Sequence, residues 1–279
     1  MKQKKKTGYC PENVKSSQKE KCRAGKYMPY IILWILFFIM VFLQMGMKPD
    51  TNTWMPLTII SGGISIVILV KNKMPSKKYI ILSIIFMILA TVAYLGVLSN
   101  LFLLLIYGIV VGVPTLLSSL AVFSVMEKHG GYSMISKKNQ YSFWNSIMIA
   151  VMVGAILSVI NTFLGVLSGS EIAFEFSIMK LLVCLSPAIF EEMACRAIFM
   201  AYSVYFAGND KMNGFGTFTM YFMMCMPHTL AHGYPLSSTI ILCVLFGIPF
   251  TILQRKRDIA SAMMSHGLVD AVRFTLIGL

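Results

Sequence analysis

Long apolar runs dominate the pattern of hydrophobic and polar positions along the chain. Nine runs of about 20 residues or more can be drawn, each able to cross a hydrocarbon layer about 30 Å thick as a helix. They cover approximately residues 28–47, 53–70, 79–98, 100–125, 143–167, 173–207, 214–233, 236–254 and 259–279. The boundary near Ser99 and Asn100 is the weakest, and merging the runs on either side of it would leave eight spans. The pattern predicts an all-α fold, a polytopic transmembrane helix bundle.

The composition agrees with a membrane protein and argues against a soluble one. Hydrophobic residues make up 57% of the 279-residue chain, and only 13% of its residues are charged. Globular proteins average about 25% charged residues, because their surfaces face water. We therefore expect a lipid bilayer to surround most of this chain.

Basic residues are grouped in the connections between the runs and give the chain a formal net charge of +13. They precede the first run and follow the even-numbered runs, whereas the connections after odd-numbered runs hold one basic residue, Lys48. Because basic connections stay on the cytoplasmic side, we expect a cytoplasmic amino terminus and an extracytoplasmic carboxyl terminus. The expected location is the plasma membrane of a prokaryote. Charges placed in this way suit anionic lipid, and no nucleic-acid partner is expected.

Three regions follow from this arrangement. Residues 1–26 form a basic cytoplasmic tail, which is not a secretory signal because the apolar run behind it is too long. Residues 27–167 hold spans one to five, and residues 168–279 hold spans six to nine. The last four spans form a four-helix core in which we expect the chemistry to lie.

Ionisable side chains separate the two membrane regions. Spans one to five contain no Asp, Glu, Lys, Arg or His. The last four spans include Lys180, Glu191, Glu192, Arg196, His228, His232, His266, Asp270 and Arg273. Such groups cost free energy inside a membrane unless they are paired or hydrated, so they mark a functional site by default. The alternative is that they only join helices through hydrogen bonds.

The sixth span carries two adjacent acids, Glu191 and Glu192, followed by Arg196. Glu192 and Arg196 are four residues apart and can pair along one helix face. Adjacent helical residues point about 100° apart, so both acids are not expected to face one site squarely. Glu191 is therefore the candidate general base, because it is left to present its carboxylate to the bundle interior.

The seventh span offers two histidines, His228 and His232, at a spacing that places both on one face. Such a pair could bind a metal, although the HExxH pattern of soluble zinc peptidases is absent. At about 1.5 Å per residue from the cytoplasmic ends, Glu191 lies about 24 Å deep, His228 about 21 Å and His232 about 27 Å. Depth favours His228 as the partner of Glu191, and His232 remains open.

The ninth span places His266 and Asp270 on one face, where Asp270 could fix the tautomer of the imidazole. The pair could also bind an oxyanion or a metal. Arg273 lies one turn further and could pair with Asp270. Three helices thus bring polar groups to a similar depth, which is how buried sites in helix bundles are built.

These motifs together resemble the CPBP family of intramembrane peptidases, which comprises CAAX proteases and bacteriocin-processing enzymes and is also called the Abi family. The resemblance covers about residues 180–275 and uses Glu191-Glu192 with Arg196, a histidine-bearing span, and His266 with Asp270. The middle motif departs from the family pattern FxxxH, because Met224 stands four residues before His228. Either His228 is the family histidine with Met in place of Phe, or His232 is that histidine with His228 in place of Phe.

The resemblance implies an endopeptidase that cleaves a membrane-anchored or otherwise hydrophobic peptide or protein. Glu191 and the seventh-span histidine would polarise a water molecule, His266 and Asp270 would stabilise the oxyanion, and Glu192 with Arg196 would hold the helix geometry. No cofactor is required by this scheme. Zinc is compatible with it, and its ligands would then be Glu191, His228 and His266.

Three alternatives remain open at this level. The same scaffold could serve a non-catalytic bacteriocin-immunity or signalling protein, and buried Glu, His and Arg would also suit a proton-coupled transporter. A transporter should show paired, Gly- or Pro-broken inverted repeats, which the sequence lacks. A cysteine peptidase using Cys225 and His228 is allowed by their spacing, but nothing distinguishes Cys225 from the other cysteines in the spans.

Overall fold

The computed structural model describes residues 16–46, 54–95, 97–98, 100–136, 142–208 and 210–278, and within these ranges the regular structure is helical with no strand. The α-helices are α1 (Ser16–Gly46), α2 (Trp54–Lys71), α3 (Lys77–Val92), α4 (Leu101–Tyr107), α5 (Val113–His129), α6 (Ser142–Leu167), α7 (Ile178–Val183), α8 (Ile198–Ala207), α9 (Gly214–Ala231), α10 (Leu236–Leu242), α11 (Ile248–Ile252) and α12 (Ile259–Leu276). The all-α prediction is confirmed.

In the described ranges, five π-helical segments connect or extend these helices. Gly108–Gly112 joins α4 to α5, Pro187–Glu191 and Met193–Ala197 lie between α7 and α8, and Cys243–Gly247 and Leu253–Arg257 flank α11. Three of the five segments begin at a proline or end two residues before one. Proline lacks the N–H of the ordinary helical hydrogen bond, so wider turns are favoured near it. With these segments, the described helices form rods that correspond to the predicted apolar runs.

The bundle is that of a multi-pass membrane protein. Among the described residues, five helical stretches are long and apolar enough to cross a membrane: Lys26–Met45, Trp54–Lys71, Leu101–His129, Ser142–Leu167 and Leu236–Arg257. Large apolar side chains on their outer faces are exposed, including Phe42 at 76% and Val70 at 79%. A soluble protein would not leave so much apolar surface in water, whereas lipid accommodates it. The count of nine crossings stays a prediction.

The weakest predicted boundary is a real break. Helix α3 ends at Val92, and Asn100 caps the start of α4 by accepting a hydrogen bond from the Leu103 amide at 2.8 Å. Asparagine is a favoured residue at this position because its side chain satisfies a free backbone N–H. The structure therefore keeps the third and fourth runs apart.

The sixth run begins later than the sequence predicts. Helix α7 starts at Ile178, and residues 173–177 are not helical. The amides of Ala173 and Glu175 donate to the carbonyls of Leu276 at 2.9 Å and Thr275 at 2.8 Å. These carbonyls belong to the last turn of α12, where no further helical amide is available to them. Pairing with the end of α12 thus replaces the expected helical turn.

Two contacts fix α12 against the amino-terminal helices. Helix α12 packs along α6, where a Cβ atom added at Gly154 would lie 2.9 Å from the side chain of Leu268 and 3.1 Å from the Ser265 carbonyl oxygen. At the other end, the fully buried Asp258 caps α12 by accepting from the Ser261 amide at 2.7 Å. The same carboxylate accepts from the Ser146 hydroxyl of α6 at 2.6 Å. These contacts set the position of His266.

Candidate active site

The π-helical turns between α7 and α8 direct two adjacent carboxylates into one buried cluster. Glu191 and Glu192 are 8% and 0% exposed. Their carboxylates contact opposite nitrogens of the same ring: Glu191 Oε2 is 3.5 Å from His266 Nε2, and Glu192 Oε1 is 2.8 Å from His266 Nδ1. The expectation that the two acids cannot both face one site is therefore wrong. It assumed regular α-helical turns, and π-helical turns change the angle between neighbouring side chains.

Arg196 determines the tautomer of His228. Its Nη2 atom lies 2.6 Å from His228 Nδ1, and a guanidinium can only donate a hydrogen bond. His228 Nδ1 must therefore be the acceptor, which leaves the proton of a neutral imidazole on Nε2. His228 Nε2 lies 2.5 Å from Glu191 Oε2 and so donates to it. The Arg196–His228–Glu191 chain holds the Glu191 carboxylate in one orientation.

Arg196 also pairs with Glu192 through its Nη1 atom, as the i,i+4 spacing predicts. Glu192 accepts two further hydrogen bonds, from His266 Nδ1 at 2.8 Å and from Gln254 Nε2 at 3.4 Å. Because an ionised carboxylate only accepts, the proton on His266 Nδ1 points at Glu192. Glu192 and Arg196 thus do more than hold one helix, since each also orients a histidine of another helix.

His266 and Asp270 share a face of α12, as predicted. Asp270 Oδ2 lies 3.6 Å from His266 Nε2, which is longer than a hydrogen bond. His266 Nε2 therefore lies between the carboxylates of Glu191 and Asp270 without a close bond to either. The proposed pairing of Arg273 with Asp270 is not found, since no ion pair of Arg273 occurs among the described residues.

His232 joins the edge of the cluster and is more exposed than His228. Its ring centroid is 5.1 Å from that of His228 and 5.7 Å from that of Tyr234. Within the ranges that the structure describes, no side-chain hydrogen bond is found for it. The structure thus brings all seven sequence-predicted site residues together, with His228 in direct contact with Glu191 and His232 one layer further out.

Three residues of the site were not found from the sequence. Gln254 donates to the Glu192 carbonyl at 2.9 Å, and the Phe250 ring stacks on His266 with centroids 4.8 Å apart. Trp54 packs on His228 and His232. Gln254 stands beside a basic connection and looks like a loop residue, and isolated aromatic residues in apolar runs carry no distinguishing signal.

A cavity of about 100 Å³ adjoins the cluster. Its lining includes the site residues Arg196, His228, His232, His266 and Asp270, together with Tyr234 and Arg273. Such a volume holds a few water molecules or one side chain. The charged and imidazole groups therefore border a space that is large enough to hold water.

The ligand atoms of Glu191, His228 and His232 lie within 4.8 Å of one another, a spacing that could hold a metal ion. The hydrogen bonds disagree with that use. His228 Nδ1 accepts from Arg196 and Nε2 donates to Glu191, so a metal at His228 would have to displace one of these partners. The set with His266 in place of His232 contains His228 as well and therefore has the same conflict, although His266 could offer its Nε2 atom while its Nδ1 stays bonded to Glu192. As arranged, these residues do not fit a resident metal.

The same site is matched by a family model. Residues 173–272 match the model described as type II CAAX prenyl endopeptidase Rce1-like, and this range contains all seven predicted site residues. No curated protein and no solved structure matches the chain. The match confirms the resemblance to the CPBP peptidases over these residues. Helices α1 to α6 lie outside it.

Proposed function

We propose, with the match of residues 173–272 to the Rce1-like CAAX prenyl endopeptidases as the premise, that this membrane protein is an intramembrane endopeptidase in which Glu191 activates water. The hydrogen-bonded chain Arg196–His228–Glu191 is the observation that carries the proposal. It aligns a buried carboxylate through an imidazole whose tautomer is fixed by a permanent cation.

Glu191 is assigned the role of general base. A water molecule bound beside its carboxylate gives a proton to Glu191 while the water oxygen attacks the carbonyl carbon of the scissile peptide bond. His228 does not take this proton, because its Nδ1 lone pair is bonded to Arg196. Glu191 then passes the proton to the leaving amine as the C–N bond breaks. The immediate products are a carboxylic acid and an amine, and proton transfer between them gives a carboxylate and an ammonium ion, so atoms and charges balance.

His266 is assigned the role of oxyanion stabiliser. With Nδ1 donating to Glu192, a proton on Nε2 makes His266 an imidazolium, whose charge three neighbouring carboxylates offset. The distances of 3.5 Å and 3.6 Å from Nε2 to Glu191 and Asp270 leave this proton without a close acceptor, so it is available to donate to the oxyanion. Donors aimed at charge that develops in the transition state supply large rate effects.

The family description points to prenylated CAAX peptides as the first substrate class to test. A lipid-anchored peptide suits a site that lies inside an apolar helix bundle, because the anchor keeps the peptide in the bilayer next to the cavity. The proposed substrate class is therefore a membrane-anchored peptide or protein. Prenylated and acylated peptides of the same sequence would show which anchor the enzyme prefers.

The described basic connections meet at one end of the bundle. Lys128 donates to Asn72 at 2.5 Å, Arg255 donates to the Gly131 carbonyl, and the Ile259 amide donates to Ser133 at 3.1 Å. We assign this end to the cytoplasm. A reporter fused at Leu279 should then behave as extracytoplasmic, and one inserted at Arg255–Arg257 as cytoplasmic. The opposite result at both positions would reverse the orientation.

Cleavage by the purified full-length protein tests the proposed function. Wild type should cleave at least one membrane-anchored peptide, and Glu191→Gln should lose activity by at least about 10³-fold, because the amide keeps the shape but cannot accept the proton. Glu175→Gln is the control, since Glu175 is an exposed acid of the same region that pairs with Lys180. Cleavage by Glu191→Gln within threefold of wild type would remove Glu191 from the base role.

The absence of cleavage by wild type for every anchored peptide would favour a non-catalytic role of the scaffold. A thiol mechanism is disfavoured by the contacts of Cys225, whose Sγ lies 3.1 Å from Thr251 Oγ1 while both His228 nitrogens are already bonded. Treatment with a zinc chelator should leave the activity unchanged. Loss of activity with the chelator and its recovery on adding Zn²⁺ would overturn the metal-free mechanism.

A further inference from the structure

Trp54 lies at the active site although it belongs to α2, more than 100 residues before the matched range. Its ring centroid is 4.9 Å from that of His232 and 5.5 Å from that of His228. It is also 6.1 Å from the ring of Phe190, which directly precedes Glu191. These separations are typical of packed aromatic pairs. Trp54 therefore touches two histidines of the site and the neighbour of the proposed base.

The two histidines differ in what holds them. Hydrogen bonds at both nitrogens fix the edge of the His228 ring, whereas its faces are held only by packing. The His232 ring has no side-chain hydrogen bond in the described part of the chain, and it packs against the rings of Trp54, His228 and Tyr234. Because Trp54 contacts both rings, it can fix their positions relative to each other.

Packing and hydrogen bonds of α2 hold Trp54 in place. Leu57, one turn further along α2, is fully buried in the core. The Thr58 hydroxyl donates to the Trp54 carbonyl at 2.6 Å and secures the first turn of the helix. Further along, Ser65 of α2 meets Ser118 of α5 at 3.1 Å between their hydroxyl oxygens. A tryptophan on a rigid helix is a better support for a catalytic group than one on a loop.

We propose that Trp54 is a positioning residue of the peptidase site, which holds the imidazole rings of His228 and His232 against Glu191. The proposal rests on the proposed function and extends the site to a helix outside the family match. Misplacing a catalytic group by about 1 Å can cost about 10²-fold in rate. Loss of the indole should therefore lower kcat through the histidines rather than through substrate binding.

The test compares three variants in the purified full-length protein with an anchored peptide that wild type cleaves. Trp54→Ala should lower kcat by about 10-fold to 100-fold with KM within threefold, and it should change the pH profile of kcat, because the packing around His228 and His232 changes. Trp54→Phe keeps an aromatic ring at the same place and should retain most of the activity.

Trp34→Ala is the matched control. Trp34 packs on the same helix α9, with its ring 4.5 Å from that of Phe222 and its Nε1 donating to Thr219 at 3.0 Å. The Trp34→Ala substitution removes the same type of side chain as Trp54→Ala, but at a distance from the histidines. It should lower the melting temperature in detergent at least as much as Trp54→Ala does, and it should leave the pH profile of kcat unchanged.

Three results would overturn the proposal: wild-type kcat and pH profile in Trp54→Ala, an equal loss of kcat in both alanine variants, or a rise in KM alone. The first result would show that Trp54 has no role in the site. The second would mean that loss of either tryptophan loosens the whole bundle, and the third would make Trp54 a substrate contact. Glu191→Gln in the same assay separates these failures from failure of the proposed function. If wild type is inactive, or if Glu191→Gln cleaves like wild type, the proposed function itself fails.

Discussion

Buried polar side chains are satisfied in two different ways in the two parts of this bundle. In α2 to α6, buried hydroxyls mostly donate back to their own helix, as Ser65 does to the Ser61 carbonyl at 2.7 Å and Thr115 to the Val111 carbonyl at 2.7 Å. In the carboxy-terminal core some hydroxyls do the same, as Ser203 does to the Phe199 carbonyl at 2.9 Å, but this core also buries charged and imidazole side chains that bond between helices. His228 of α9 reaches Glu191 at 2.5 Å, and His266 of α12 reaches Glu192 at 2.8 Å.

The difference teaches which polar groups hold the scaffold and which serve chemistry. A hydroxyl that bonds to its own helix needs no partner from another element, so its loss affects only its surroundings. A charge network between helices is stable only when every member is present, because each missing partner leaves a charge in an apolar interior. Because apolar residues of similar volume would pack as well, stability alone does not account for a network of this kind.

The largest expected effect comes from breaking the network at its cation. Arg196→Ala removes the partner of Glu192 and the donor to His228 together. Losing one partner of a buried ion pair costs roughly 3–5 kcal/mol. We expect a large fall in the melting temperature in detergent and loss of activity. Wild-type thermal stability in this variant would contradict the pairing.

Two companion variants separate charge from geometry. Adding Glu192→Gln to Arg196→Ala should recover part of the stability, because the stranded carboxylate is gone. Arg196→Lys keeps the charge but cannot serve Glu192 and His228 with two separate nitrogens. It should therefore be more stable than Arg196→Ala and still poorly active. Full activity of Arg196→Lys would show that two separate donor nitrogens are not needed at this position.

The second effect distinguishes the two histidines of α9. His228→Ala should lower activity by about 10² or more, because it leaves the Glu191 carboxylate without its orienting donor. His232→Ala should have a smaller effect, since His232 makes no such bond to Glu191 among the described residues. Initial rates of cleavage at saturating peptide measure the effects of both substitutions.

The reverse ranking would mean that His232 is the family histidine and that His228 takes the aromatic position of the motif. In that case His228→Phe should be neutral. Equal and complete loss in both alanine variants would favour a shared metal, and zinc measured in the purified protein would decide that case.

Much of the fold could be predicted from the sequence because lipid imposes a simple rule. Every crossing helix must be a long apolar run, and the described rods follow those runs closely. The predicted start of the sixth helix was wrong, because an apolar segment can also adopt an extended backbone when it pairs with another element. Ala173 and Glu175 do so at the end of α12, and no pattern along the chain predicts that distant partner.

The site was predictable in its members but not in its geometry. Ionisable residues are conspicuous in apolar runs, so the sequence alone indicates Glu191, Arg196 and His266. The π-helical turns were not predictable, and they bring Glu191 and Glu192 into the same cluster. Trp54 and Gln254 were missed because their residue types are unremarkable in a membrane protein and become informative only through what they touch.

The third effect concerns a contact that joins the two parts of the bundle. Asp258 caps α12 and also accepts from Ser146 of α6 at 2.6 Å and from the Ser136 amide at 3.0 Å. Asp258→Ala should lower the free energy of unfolding by about 1–3 kcal/mol, since it leaves buried donors unsatisfied. Asp210→Ala is the control, because Asp210 is exposed and pairs with Lys26 at the surface. A loss no larger than that of the control would mean that α12 is not held by this cap.

The smallest effect is expected from a hydroxyl of the scaffold. Ser65 donates to Ser61 on its own helix, so the contact between Ser65 and Ser118 must use the Ser118 proton. In Ser65→Ala the Ser118 hydroxyl can turn to a carbonyl one turn earlier in α5, which leaves no donor stranded. Hydrogen bonds between membrane helices average about 0.6 kcal/mol, so the melting temperature in detergent should fall only slightly, and kcat and KM should match wild type. A loss above about 2 kcal/mol, or a fall in kcat like that of His228→Ala, would show that polar groups of the amino-terminal helices are coupled to the site as strongly as the charged network is.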